Sequence, residues 1–221
     1  MNKTDLIALA IYIAIVAAFY LPVILNPSGV FLGHLGGDAG VILYTANQYI
    51  DRQPFDVASY GLPFGRNLTN MGTYQPVFVW ILPHFSKVFG VMATYNYYII
   101  FNLWFAATAA YLLARMFLHS KHAAFVSGLI FGFSPYMIAR AIAYHVNLVA
   151  TGWVVLFVAS LFYMERKKTA LSGILCGVSL FLVGFTSYYN LFFSCVFAGI
   201  FYIFFWKKGA IKWITALATK I

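Results

Sequence analysis

Acidic residues are the scarcest chemistry in this chain. Of its 221 residues five are Asp or Glu, and all charged types together make up 9%. Soluble domains carry about 25% charged residues, so a water-covered surface is excluded and the chain reads as an integral membrane protein. Cysteine is nearly absent as well. Cys176 and Cys195 both lie inside apolar runs, where they read as packing residues rather than a disulfide or a metal pair. Neither CxxC nor HExxH spacing occurs, so the common zinc signatures are missing. The apolar–polar alternation over about 10 residues that marks a barrel strand is missing too, and helices are what remain.

What is abundant is hydrophobic residues, at 63% of the chain, in long runs. A net charge of +9 would point a soluble protein toward nucleic acid. Here Lys and Arg cluster at the ends of apolar runs, where they orient helices in a bilayer, and no nucleic-acid partner is expected. Six runs are long enough to span: Leu6–Leu25, Tyr95–Leu118, Ala123–Ala139, Asn147–Met164, Ala170–Thr186 and Asn190–Trp206. The first is longer than a signal-peptide core and reads as a retained helix behind a short head, Met1 to Asp5. A seventh run, Pro76–Phe89, is short and interrupted by Pro83-His84. If it does not cross, Lys3, Arg115, Lys121, Arg166, Lys167, Lys168, Lys207, Lys208, Lys212 and Lys220 fall inside. Only Arg52, Arg66, Lys87 and Arg140 then fall outside. If it does cross, the basic runs flip outward, so the positive-inside rule selects the first topology. The expectation is an all-α, polytopic membrane helical bundle. It has about six transmembrane helices and two outer-face juxtamembrane helices, both termini are cytoplasmic, and residues 1–221 form a single transmembrane domain.

The longest polar stretch is the outer loop, residues 26–74, punctuated by glycine and proline. It opens with Gly33-His34-Leu35-Gly36-Gly37-Asp38, and three of the five acids (Asp38, Asp51, Asp56) fall between Gly33 and Asp56. Residues 38–52 have a helical pattern, with Asp38, Thr45, Gln48 and Arg52 on one face and Ile42, Leu43, Ala46, Tyr49 and Ile50 on the other. That spacing suits a helix lying on the membrane surface.

Candidate functional groups gather on the outer face. Asp38 either caps the surface helix or serves as a general base or metal ligand; one carboxylate can do both. His34, four residues earlier, is a ligand or hydrogen-bond donor candidate. Asp51-Arg52 and Asp56 read as solvated helix-end charges. Arg140 is an outer-face cation against the general bias. It either snorkels to lipid headgroups or clamps a lipid-linked phosphate, whose oxygens suit a guanidinium. His145, with Asn147, is placed to hydrogen-bond the same ligand, and Arg66 is a weaker candidate. Asn96 and Asn102, inside an apolar run, are expected to hydrogen-bond between helices.

Several landmarks recur in a fixed order. A first crossing helix and a long outer loop with Gly37-Asp38 and a surface helix are followed by Pro54-Phe55, the aromatic-glycine stretch Tyr60 to Gly65, and Phe89-Gly90. Ala93-Thr94-Tyr95-Asn96, Ala110-Tyr111-Leu112-Leu113-Ala114-Arg115, Phe131-Gly132-Phe133-Ser134-Pro135-Tyr136 and His145-Val146-Asn147-Leu148 come next. In this order the chain resembles the N-terminal half of bacterial membrane proteins of the GT-C glycosyltransferase superfamily, in the set related to the family 39 and oligosaccharyltransferase-like enzymes. The resemblance implies transfer of a sugar from a polyprenyl-phosphate carrier to an acceptor on the outer side of a bacterial-type inner membrane, with inversion at the anomeric carbon. It implies membrane lipid and a polyprenyl-phosphate-linked sugar as partners, and it carries the first-loop acid onto Asp38. Many relatives have a pair of acids there, whereas Ala39 follows Asp38 here. That departure names no cofactor and leaves a divalent metal open. Relatives are commonly longer, so the expectation is the N-terminal part of a larger fold. The rival readings are a polytopic transporter or lipid flippase, which calls for charges at mid-depth, and a non-catalytic, truncated membrane protein.

Overall fold

The computed structural model describes residues 3–33, 43, 47, 56–57, 66–67 and 75–205. Among these the chain is all-α apart from a two-residue antiparallel ladder, in which β1 (Asp56–Val57) pairs with β2 (Arg66–Asn67). The helices are α1 (Lys3–Phe19), α2 (Leu21–Leu25), α3 (Leu82–Phe89), α4 (Val91–Arg115), α5 (Lys121–Gly132), α6 (Pro135–Ile142), α7 (Thr151–Lys167), α8 (Ala170–Thr186) and α9 (Tyr188–Phe205). A π-helical turn over Val77–Ile81 leads into α3.

The organising element is α4, 25 residues without proline or glycine, about 38 Å long at 1.5 Å per residue. It packs against α1, α3, α5 and α7. Small residues let the neighbours in: Ala106, Ala107, Ala109 and Ala110 are all buried. Gly132 stands against Ala107 so closely that an added Cβ would collide with its side chain and backbone. Such small-residue seams let helix backbones approach one another closely. On the far side α8 packs on α7, and α9 packs on both. The buried stripe of α8, Ser172, Cys176, Ser179, Val183 and Thr186, alternates steps of four and three, one helical face. Its other face leaves Leu171, Ile174, Val178 and Phe181 exposed.

Among the described residues, two helical stretches are long and apolar enough to cross a membrane, Val91–Arg115 and Lys121–Ile142. The helices α1, α7 and α8 have 17 residues each and α9 has 18. Several boundaries differ from those read from the sequence. Ala123–Ala139 is not one helix: Ser134 leaves helical geometry and its Oγ accepts the Met137 N–H at 3.3 Å, with Pro135 opening α6. A serine cap followed by proline at the first helical position is a start signal, and it interrupts the run. Leu6–Leu25 breaks at Tyr20, before a five-residue helix with Pro22 in its first turn. The helix expected from Asn147 starts at Thr151. Asp5 is not part of an exposed head but a buried residue in the first turn of α1. Of the surface helix expected over 38–52, Leu43 and Asn47 are described, and both are helical; the rest lies outside the described residues.

The alternation of helices sorts the polar side chains into two ends. At one end Asp5 faces Arg115 (Oδ1 to Nε 3.7 Å) and accepts the Tyr111 hydroxyl at 2.6 Å. Lys121 reaches Thr4 at 3.3 Å, and Arg166 donates to the Met116 carbonyl at 3.0 Å. The other end holds the turn after α2, the start of α4, and α6.

Candidate functional site

The site is built on α6, eight residues whose Arg140 lies in the last turn. The helix closes with a Schellman arrangement. The His145 N–H donates to the Arg140 carbonyl at 2.9 Å and the Tyr144 N–H to the Ala141 carbonyl at 3.1 Å, the pair of bonds expected when one residue turns left-handed after a helix. That residue is usually glycine. Here it is Tyr144, at φ 58, which costs about 1–2 kcal/mol for a side chain with a Cβ. The offset is burial: Tyr144 is fully buried and its ring lies 4.6 Å from that of Phe31. The Tyr144 hydroxyl has no hydrogen-bond partner among the described residues, and burial pushes its pKa up, so it stays protonated.

The same closure brings Arg140 and His145 together. An Arg140 Nη1–H donates to His145 Nδ1 at 2.9 Å. A guanidinium has no acceptor, so Nδ1 is the acceptor and the ring proton belongs on Nε2. The guanidinium carbon also sits 5.2 Å from the centre of the Tyr136 ring, a cation–π contact worth about 0.5–1 kcal/mol at an exposed site. Arg140 is thus half-buried and aimed by two aromatic rings. Of the five N–H donors of a guanidinium, one is used by His145 among the described residues. The remaining fork suits a carboxylate or phosphate.

The segment that follows α2 is fastened beside this group. Asn26 turns the chain, its Oδ1 accepting the Gly29 N–H at 3.0 Å. Asn96, fully buried on α4, then holds the next residues. Its Nδ2 donates to the carbonyls of Pro27 and Val30, both at 2.9 Å, and its Oδ1 accepts the Leu32 N–H at 3.3 Å. Asn96 therefore binds loop backbone rather than a neighbouring helix, because three backbone groups turned inward need a partner. Asn102, also expected to join helices, donates to the Tyr98 carbonyl of its own helix at 2.8 Å. Gly33 follows at φ +119, where an added Cβ would collide with the Ile142 carbonyl oxygen at the end of α6. Only glycine fits both that dihedral and that contact.

Of the residues singled out from sequence, Arg140 and His145 are brought into contact. His34 and Asp38 lie outside the described residues, downstream of Gly33. Arg66 is described as a backbone position in β2, and its side chain lies outside what is described. Sequence reasoning missed Tyr144, Tyr136 and the loop-holding role of Asn96. A polar residue inside an apolar run flagged Asn96, but no pattern flags a tyrosine in a left-handed cap. Among the described residues no group of three His, Cys, Asp or Glu is placed to hold a metal ion. No protein-family description matches the chain, and neither a curated protein nor a solved structure is significantly similar to it.

Proposed function

We propose that this chain is a polytopic membrane protein that handles a polyprenyl-phosphate-linked sugar at the loop end of the bundle, as an inverting glycosyltransferase. Membrane residence is supported by apolar side chains turned outward around the bundle, such as Ile130 at 68% and Ile203 at 73% exposure. A soluble protein does not expose such a surface over several helices. Four helices of 17–18 residues fall at the lower limit for a crossing; with the two longer stretches the reading adopted is six crossings, and the bias of Lys and Arg puts both termini on the cytoplasmic side.

The observation that carries the functional reading is the convergence at Gly33. The chain that leads into His34 and Asp38 leaves from a point against Ile142, two residues beyond Arg140. In this reading Arg140 binds the carrier phosphate, His145 orients Arg140, and Asp38 is the base. The acceptor hydroxyl oxygen attacks the anomeric carbon and its proton passes to the Asp38 carboxylate. The bond from that carbon to the phosphate oxygen breaks, and the polyprenyl phosphate leaves with the electron pair, its charge met by the guanidinium. With a single carboxylate acting as base, the anomeric centre inverts.

The test is a titration of purified protein in lipid with polyprenyl phosphate and its sugar-linked form, in the unaltered chain, Arg140→Ala and Asp38→Asn. The reading expects saturable binding weakened about tenfold or more by Arg140→Ala, since a charge-assisted bidentate contact contributes roughly 1.5–3 kcal/mol. It expects transfer abolished by Asp38→Asn with binding kept. Binding indifferent to both changes would contradict it and favour a transporter or a non-catalytic protein.

A further inference from the structure

At the end opposite Arg140 the structure carries a second amphipathic feature that the proposed transfer does not use. A groove of about 320 Å³ runs between α7 and α8. Leu156, Ala159 and Tyr163 line one wall, and Leu175, Val178 and Leu182 the other. The seven-residue spacing from Leu175 to Leu182 gives it about 10 Å of length along the helix. Its two serine hydroxyls are already paired, Ser160 Oγ with Ser179 Oγ at 2.7 Å. The surface it offers a ligand is almost wholly apolar.

The end of this groove is cationic. Met116 also lines it, and the Met116 carbonyl accepts an N–H from Arg166, whose guanidinium lies 5.0 Å over the Phe117 ring. These contacts pull the end of α7 onto the turn after α4. Arg166, Lys167 and Lys168 are exposed there, and so are His119 in the connection after α4 and His122 in the first turn of α5. The acids nearby are Glu165, half-buried on α7, and Asp5, which is engaged by Arg115 and Tyr111. Positive charge thus dominates the rim of an apolar channel.

We infer that this groove is a site for an anionic phospholipid of the cytoplasmic leaflet, with an acyl chain between α7 and α8 and the headgroup phosphate at Arg166 to Lys168. The inference rests on the membrane-spanning reading above, and not on glycosyl transfer. Charge complementarity selects the occupant: a basic rim is drawn to anionic headgroups, and the wall is apolar along its length.

Full-length protein, purified in detergent and stripped of lipid, is titrated by native mass spectrometry with phosphatidylglycerol and phosphatidylcholine of equal chain length. Phosphatidylglycerol is expected to bind more tightly, and Arg166→Gln and Lys168→Gln are each expected to weaken it roughly fivefold while leaving phosphatidylcholine unchanged. Val178→Trp, which fills the groove, is expected to weaken both. Arg166→Lys keeps the charge and the preference, which separates a charge effect from loss of the contact to Met116. Equal affinity for the two lipids overturns the proposal, as does phosphatidylglycerol binding that ignores Val178→Trp, which would mean surface attraction alone. Release of the chain from membranes by a carbonate wash without detergent would overturn the membrane reading itself, an outcome distinct from failure of the lipid site.

Discussion

At one end of the bundle Asp5, Tyr111, Arg115, Lys121 and Arg166 join α1, α4, α5 and α7 mainly through side chains. At the other, Asn96, Gly33 and Tyr144 join a loop to α4 and α6, and there the partners are backbone carbonyls, a backbone N–H and a single aromatic contact. The difference is physical. Ion pairs and long cations tolerate small shifts, so the first end forms a clamp that also presents charge to its surroundings. Backbone bonds to one buried asparagine and a glycine pressed on a carbonyl tolerate almost none. The second end is therefore the one that can hold a reacting group to within a fraction of an ångström, as a site requires.

Substitutions can break one end and spare the other. The largest effect is expected for Asn96→Leu, which leaves the Pro27 and Val30 carbonyls and the Leu32 N–H without their partner. At about 1 kcal/mol for each lost bond the cost is roughly 3 kcal/mol, read as a lower Tm and new proteolytic cleavage between residues 26 and 33. Gly33→Ala comes next. It combines a collision with Ile142 and a strained dihedral, at about 2 kcal/mol, and carrier binding is expected to fall with little change in lipid preference at the basic end.

Arg115→Ala strikes the opposite end. The Asp5 side chain is buried to within 12% exposure, but that of Arg115 keeps 26%. The cost is therefore about 1–2 kcal/mol, between the values for exposed and buried pairs. Tm should drop while the carrier binding proposed for Arg140 stays within twofold. The smallest effect is expected for Tyr144→Gly. Relief of the left-handed strain, about 1–2 kcal/mol, works against loss of the buried ring on Phe31, about 1.5–3 kcal/mol. A net change between about 0.5 kcal/mol of gain and about 2 kcal/mol of loss, with weaker carrier binding, would show that Tyr144 is there to fix the loop more than to stabilise the chain. A large loss of Tm would instead make it a core residue like any other.

The helices were legible because apolar runs need few signals: Ala170–Thr186 agrees to the residue, while α4 starts four residues before and ends three residues before the run Tyr95–Leu118. Breaks were less so. The Ser134-Pro135 start signal was present in the sequence, yet the apolar run continues through it, and a hydropathy reading smooths over one turn. Asp5 reads as part of a short head because it precedes the first apolar run; its burial depends on Tyr111 and Arg115, more than a hundred residues away. Arg140 and His145 were legible as a pair of polar residues on one short segment. Their contact was not, because it depends on Tyr144 taking a conformation that tyrosine rarely adopts.

The contrast between the ends has meaning only if they face opposite sides of a membrane. The direct measurement is labelling with an impermeant maleimide in intact cells, in a background carrying Cys176→Ser and Cys195→Ser. Ala143→Cys reports the loop end, and Lys168→Cys reports the basic end; both positions are exposed. The account expects Ala143→Cys to label in intact cells and Lys168→Cys to label only after permeabilisation. Labelling of both from the same side, or of Lys168→Cys alone from outside, would contradict it.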